Sequence, residues 1–184
     1  MKLDVLTLND FLEADEIRRI VNEMRLGRMG SAGIHGTGKA IDPNVRKARI
    51  VSVSSGTHEL VTARLEGIRP ELARHFDVGL NSFEPPQFLR YCPGDFFVAH
   101  QDGNTPLIPD ETLGRKVSVS IFLNSREEYS GGSLLLHGTY PDWEYREDIT
   151  SSAGTLAAFR SETTHEVTPV TAGERFAIVA WFRA

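Results

Sequence analysis

Residues 88–102 read FLRYCPGDFFVAHQD. Aromatic and β-branched residues on both sides of a Pro-Gly break mark two short strands, and the second ends on His100 with Asp102 two positions later. In an extended chain alternate side chains leave the same face, so an imidazole at i and a carboxylate at i+2 can close on one cation without distorting the backbone. The pair needs a third ligand from elsewhere. The best candidate is His165, in the segment FRSETTHEVTPVTAGERFAIVAWF at 159–182. His137 competes for that place, but it follows the apolar run GSLLL without the Pro and Arg that come after His165, and it is expected at the rim of the site.

Two imidazoles and one carboxylate on one face of a metal, with other positions open, form the donor set of non-haem iron(II) oxygenases. A zinc hydrolase could use the same ligands. Zinc would support activity in a hydrolase and inhibit an oxygenase, while Arg175 argues against a purely structural metal site. This arginine lies ten residues beyond His165 in the run ERFAIVAWF, whose neighbours are almost all apolar, and it shares a strand face with Ala177, Val179 and Trp181. A buried guanidinium needs an anion. A bound carboxylate suits its planar fork, and ferrous iron with a carboxylate-bearing co-substrate points to 2-oxoglutarate.

The ordered series Tyr91, Gly94, Phe97, His100, Asp102, Gly131-Gly132, His165, Pro169, Gly173, Arg175 and Trp181 resembles the 2-oxoglutarate and Fe(II)-dependent oxygenases, and within them the prolyl 4-hydroxylase-like branch. The likeness covers roughly residues 85–184. It implies His100, Asp102 and His165 as metal ligands, Arg175 on the distal carboxylate of 2-oxoglutarate and Tyr91 donating to the same group. It also implies O2 as co-substrate, ascorbate as an optional addition, and hydroxylation of an unactivated C–H bond, with a prolyl residue in a peptide or protein as the leading substrate. Phe97 stands where that branch usually has tyrosine and Arg175 where it usually has lysine. A free amino acid or other small metabolite is therefore the alternative substrate, and a non-catalytic metal-binding cupin-like protein is the alternative from another class.

At 184 residues, with 40% hydrophobic and 24% charged residues, the chain suits one domain with a sizeable core. A net charge of −5 disfavours binding to nucleic acid, which calls for a basic excess. The basic residues Arg46, Lys47 and Arg49, with Lys39 nearby, read first as a solvated edge. No apolar run is long enough for a membrane span, and MKLDVLTLNDFLEADE places acids where a signal peptide would be basic and then apolar. A single cysteine, Cys92, rules out an internal disulfide, so a cytoplasmic location is expected.

The expected organisation is helical support and a loop over 1–84, then a jelly-roll core over 85–184. Apolar residues at 11, 12, 17, 20, 21 and 24 predict an amphipathic helix capped by Asn9 or Asp10 and stopped at Gly27. The glycine-rich stretch 27–44 reads as a loop, with a lid or substrate loop as the functional alternative, and SREEYSGGS at 125–133 reads as a surface loop that the resemblance puts at the border of the substrate opening. ARIVSVS at 48–54 reads as a strand. Thr57–Phe76 predicts a second helix, which Pro70 should kink or break. Eight short segments from PQFLRY to ERFAIVAWF, separated by turn residues, predict a double-stranded β-helix of the cupin type.

Overall fold

Side chains of Arg175–Arg183 alternate between two cores, and that strand lies at the centre of the largest sheet. Phe176, Ile178, Ala180 and Phe182 face the helices, while Arg175, Val179 and Trp181 line a cavity on the opposite side. Because both faces are covered, the strand is apolar almost throughout, and its one buried charge stands out.

A computed structural model describes residues 3–32, 42–104, 110–139, 142, 144–149 and 152–184. In chain order its first strands are β1 (Val5–Leu8), β2 (Met29–Ser31), β3 (Arg46–Lys47), β4 (Arg49–Val51), β5 (Ser82–Phe83), β6 (Gln87–Tyr91), β7 (Phe96–His100) and β8 (Arg115–Phe122). There follow β9 (Tyr129–Gly131), β10 (Leu134–His137), β11 (Arg146–Asp148), β12 (Leu156–Arg160), β13 (His165–Val167), β14 (Val170–Gly173) and β15 (Arg175–Arg183). The large sheet runs β1-β12-β8-β15-β6-β4-β2, with β5 also pairing on β15. A second sheet runs β11-β10-β13-β7-β3, and β14 and β9 form a ribbon. Every pairing among the described residues is antiparallel, so the fold is the expected jelly roll.

The helices α1 (Ala14–Leu26) and α2 (Ser55–His75) cover the outer face of the large sheet. On α1 the buried residues Ile20, Val21 and Met24 fall on one stripe at helical spacing. This helix starts later than Asn9 or Asp10 would place it. Phe11 and Leu12 are buried as an extended lead-in, the Leu12 N–H donates to the Gly154 carbonyl at 3.2 Å, and the Glu16 carboxylate caps the Glu13 N–H at 2.9 Å. Gly27 ends it, where a Cβ would meet the Ser52 carbonyl oxygen at 2.4 Å. On α2, Ser54 caps the Thr57 N–H at 3.3 Å. The expected interruption at Pro70 does not occur: the helix runs unbroken to His75. Pro70 and Glu66 are both exposed, so water can take up the Glu66 carbonyl that Pro70 leaves without a partner.

Two of the expected loops contain strands. Met29–Ser31 pairs with β4, while 33–41 lie outside the described residues. Tyr129–Gly131 pairs with β14, and Tyr129 is buried against the body of the protein. DWEYR at 142–146, one of the eight segments expected as strands, gives way to a strand at Arg146–Asp148, with residues 140, 141 and 143 outside the described set. No helix among the described residues is long and apolar enough to cross a membrane.

Candidate metal centre

β7 and β13 are antiparallel neighbours, and their register places His165 directly opposite His100. The two rings lie 4.2 Å apart between centroids. Each uses Nδ1 in the same way, donating to the carbonyl two residues earlier: His100 to Val98 at 2.8 Å and His165 to Thr163 at 2.9 Å. A ring nitrogen that donates must carry the proton, so both Nε2 atoms are left as lone-pair donors. Asp102 meets them both, with Oδ1 3.5 Å from His100 Nε2 and Oδ2 3.4 Å from His165 Nε2. The ligand atoms of all three residues lie within 4.8 Å of one another, the one such trio among the described residues. Ligand atoms at about 2.1 Å from a shared ion sit ~3 Å apart at right angles, so this donor set fits a divalent cation with little rearrangement.

Protonation suits the same purpose. Burial opposes a charge on Asp102, but the His165 and His100 imidazoles outweigh it and hold the carboxyl well below the usual carboxylate range. Burial pushes the His165 imidazole down to about 4, with the attraction of Asp102 offsetting only part of that effect. Near neutral pH the site therefore offers one carboxylate and a neutral imidazole at His165, the forms a metal requires.

Arg175, at the start of β15, pairs with Tyr91 across β6. It is 2% exposed, its Nε has no hydrogen-bond partner, and no ion pair involves it among the described residues. Its guanidinium lies over the rings of Tyr91 at 5.2 Å and Phe122 at 5.4 Å. Such ring contacts recover only part of what a buried cation loses on leaving water. Gly132, at φ +61, gives it room, since a Cβ there would sit 3.1 Å from Arg175 Cδ. His100, Asp102, His165, Arg175 and Tyr91 all line one open cavity, whose other walls are mostly apolar.

Other candidates are placed elsewhere. His137 bonds Glu166 at 3.0 Å and is not among the three clustered ligands. The basic patch divides: Arg46 is buried in the cavity wall over Phe97, and Lys47 and Arg49 approach the buried Asp95 at 3.7 and 3.9 Å. Phe97 stacks on the His100 ring at 3.5 Å. Trp181, on the strand face that bears Arg175, is brought against Asp102 in the same cavity. Its place on that face of β15 was the one available signal.

A jelly roll carrying two histidines, one aspartate and a buried arginine in one cavity is the arrangement of an iron and keto-acid oxygenase. Residues 86–183, more than half the chain, match the 2OG-Fe(II) oxygenase superfamily model, and the chain belongs to that superfamily. The superfamily brings with it Fe(II), 2-oxoglutarate and O2. Over 102 residues, 55% of this chain, it is 37% identical to a PKHD-type hydroxylase of Shewanella baltica, and over 118 residues, 61% of this chain, 36% identical to one of Stenotrophomonas maltophilia. Those alignments take in 44% and 51% of the two relatives, so the chain spans about half their length. Among solved structures, a Pseudomonas putida prolyl-4-hydroxylase superposes with a TM-score of 0.77 at 26% identity, covering 99% of this chain and 93% of that one. A Trichoplax adhaerens prolyl hydroxylase in complex with a hypoxia inducible factor peptide fragment shares the fold at TM-score 0.74 and 20% identity, covering 98% of this chain and 83% of that one.

Proposed function

We propose that this chain hydroxylates a prolyl residue in a peptide or protein, using Fe(II), 2-oxoglutarate and O2. One observation carries the co-substrate assignment: a buried guanidinium with no ion-pair partner among the described residues lines the same cavity as the His-Asp-His trio. The prolyl assignment rests on the relatives and on the Trichoplax complex, whose fold this chain shares.

His100, Asp102 and His165 would hold the iron. Arg175 holds the distal carboxylate of 2-oxoglutarate, and the Tyr91 hydroxyl, whose strand pairs with that of Arg175, donates to the same group. Iron held there would supply the oxidative chemistry, in which O2 and the keto acid give succinate and CO2 and one oxygen atom enters the substrate C–H bond. The chain's own part is orientation and dryness. Leu89, Phe97, Leu134, Phe159 and Val179 wall the cavity with apolar surface, which limits the water that could divert the oxidant. The chain acts as one catalytic domain, because β1, β2, β3 and β4 from its first half hydrogen-bond into the two larger sheets.

Succinate release should be measured over proline-containing peptides, free amino acids and a cell extract, with mass spectrometry for a gain of one oxygen. Peptide-dependent turnover with the oxygen on proline is the expected result. Turnover above background with free small molecules alone would overturn the peptidyl assignment and leave the iron and 2-oxoglutarate assignment standing.

A further inference from the structure

Two of the three clustered ligands are strand residues held by each other's sheet, but Asp102 is not. It lies beyond the end of β7 in irregular backbone, so something other than β pairing must fix it. The Asp102 N–H donates to the Ser161 carbonyl at 2.9 Å. Its own carbonyl accepts from Arg115 Nη1 at 3.0 Å, and the Trp181 indole stands beside its carboxylate in the same cavity. Arg115 and Trp181 in turn hold each other, the guanidinium lying 4.1 Å above the indole ring.

Arg115 is itself anchored. It is 1% exposed, and Glu84 grips it with both oxygens, at 2.7 Å to Nε and 2.6 Å to Nη2. Arg183 reaches the same Glu84 oxygen at 2.7 Å, and the Glu84 N–H donates to the Trp181 carbonyl at 2.9 Å. Arg115 is on β8 and Trp181 on β15, both in the large sheet, whereas His100 and His165 belong to the other one. The carboxylate ligand is thus set from the sheet opposite the imidazoles.

We infer that Arg115 and Trp181 are positioning residues that hold Asp102 from the large sheet and so set the affinity of the metal centre. Neither needs to touch the metal or the reacting atoms. Hydrogen bonds at both the N–H and the carbonyl fix the Asp102 backbone, and the indole beside the carboxylate favours one orientation of its lone pairs before the metal arrives. The inference rests on the metal reading of His100, Asp102 and His165, and its test separates the two.

Trp181→Phe keeps the ring under Arg115 and removes the N–H, and Arg115→Lys keeps a positive charge beside Glu84 but cannot grip Glu84 and reach Asp102 together. Mn(II) binding to the whole protein would be measured by calorimetry, alongside thermal unfolding of the metal-free form. The expected result is ~10- to 100-fold weaker Mn(II) binding in each variant, the range typical for loss of an outer hydrogen bond to a ligand, with metal-free unfolding little changed for Trp181→Phe. Binding within twofold of wild type would overturn the positioning role. Wild-type protein that binds no Mn(II) would instead sink the metal reading, and the positioning role with it. The unmutated chain gives a second measurement through 15N-indole NMR. The Trp181 N–H should exchange slowly and shift on adding Zn(II), and a fast-exchanging, unshifted signal would contradict the inference whatever the variants do.

Discussion

His100 and His165 face each other across adjacent antiparallel strands and each spends its Nδ1 proton on the carbonyl two residues before it. The ring orientation is thus set by backbone before any ion is bound. Replacing either histidine, or Asp102, with alanine should abolish metal-dependent succinate formation and the rise in unfolding temperature on adding Mn(II). Retention of that rise in His165→Ala would remove His165 from the ligand set.

Arg175→Met should have two opposite effects. Without the guanidinium the 2-oxoglutarate requirement should rise ~30-fold or more, since losing one partner of a buried charge pair costs about 2 to 5 kcal/mol. Yet the protein without ligands should be no less stable than wild type, because Arg175 is a buried cation with no ion-pair partner among the described residues and Met fills similar volume. Thermal unfolding without and with 2-oxoglutarate checks both. Marked destabilisation of the ligand-free variant would mean that Arg175 serves the fold and not the co-substrate.

Gly132→Ala should weaken the protein and the co-substrate site together. The backbone there is left-handed at φ +61, and the new methyl group would press on Val170 at 2.9 Å and on Arg175 Cδ at 3.1 Å. A loss of about 1 to 3 kcal/mol in denaturant unfolding is expected for strain of this kind, with a higher 2-oxoglutarate requirement. Unchanged co-substrate affinity would show that Arg175 can shift without consequence.

How much of this was legible in the sequence follows from the range of the contacts. The β7 ending on His100, the Asp102 beside it and the face of β15 bearing Arg175 could be read because period-two alternation is local. The chemistry of buried charge made Arg175 stand out from its apolar neighbours. By contrast, β2, β3, β5 and β9 are two or three residues long and exist through distant partners, so nothing nearby announces them. Phe11 and Leu12 fitted the helical stripe of α1 but are buried as extended chain, because the Gly154 carbonyl captures the Leu12 N–H. Trp181 on Asp102 and Arg115 on the Asp102 carbonyl join residues far apart in sequence, and no spacing rule connects them.

Acid should act through Glu84. Burial raises its carboxyl, but Arg115 and then Arg183 outweigh that and leave it below its ordinary value of 4.5. A carboxyl lowered on folding contributes stability that is complete above about 4.5 and is lost as pH falls through the folded value. The stability difference between wild type and Glu84→Gln should therefore be largest near neutrality and shrink below pH ~4.5. Denaturant unfolding of both proteins across that range checks it, and a difference independent of pH would exclude an ionised Glu84 as the clamp on Arg115.

The most direct measurement is anaerobic titration of the metal-free protein with Fe(II) and 2-oxoglutarate, followed by visible absorption. A weak charge-transfer band that needs both components, disappears in His165→Ala and requires far more 2-oxoglutarate in Arg175→Met is the expected result. Folded wild-type protein that gives no band with both components in excess would contradict the assignment of His100, Asp102, His165 and Arg175 as an iron and 2-oxoglutarate site.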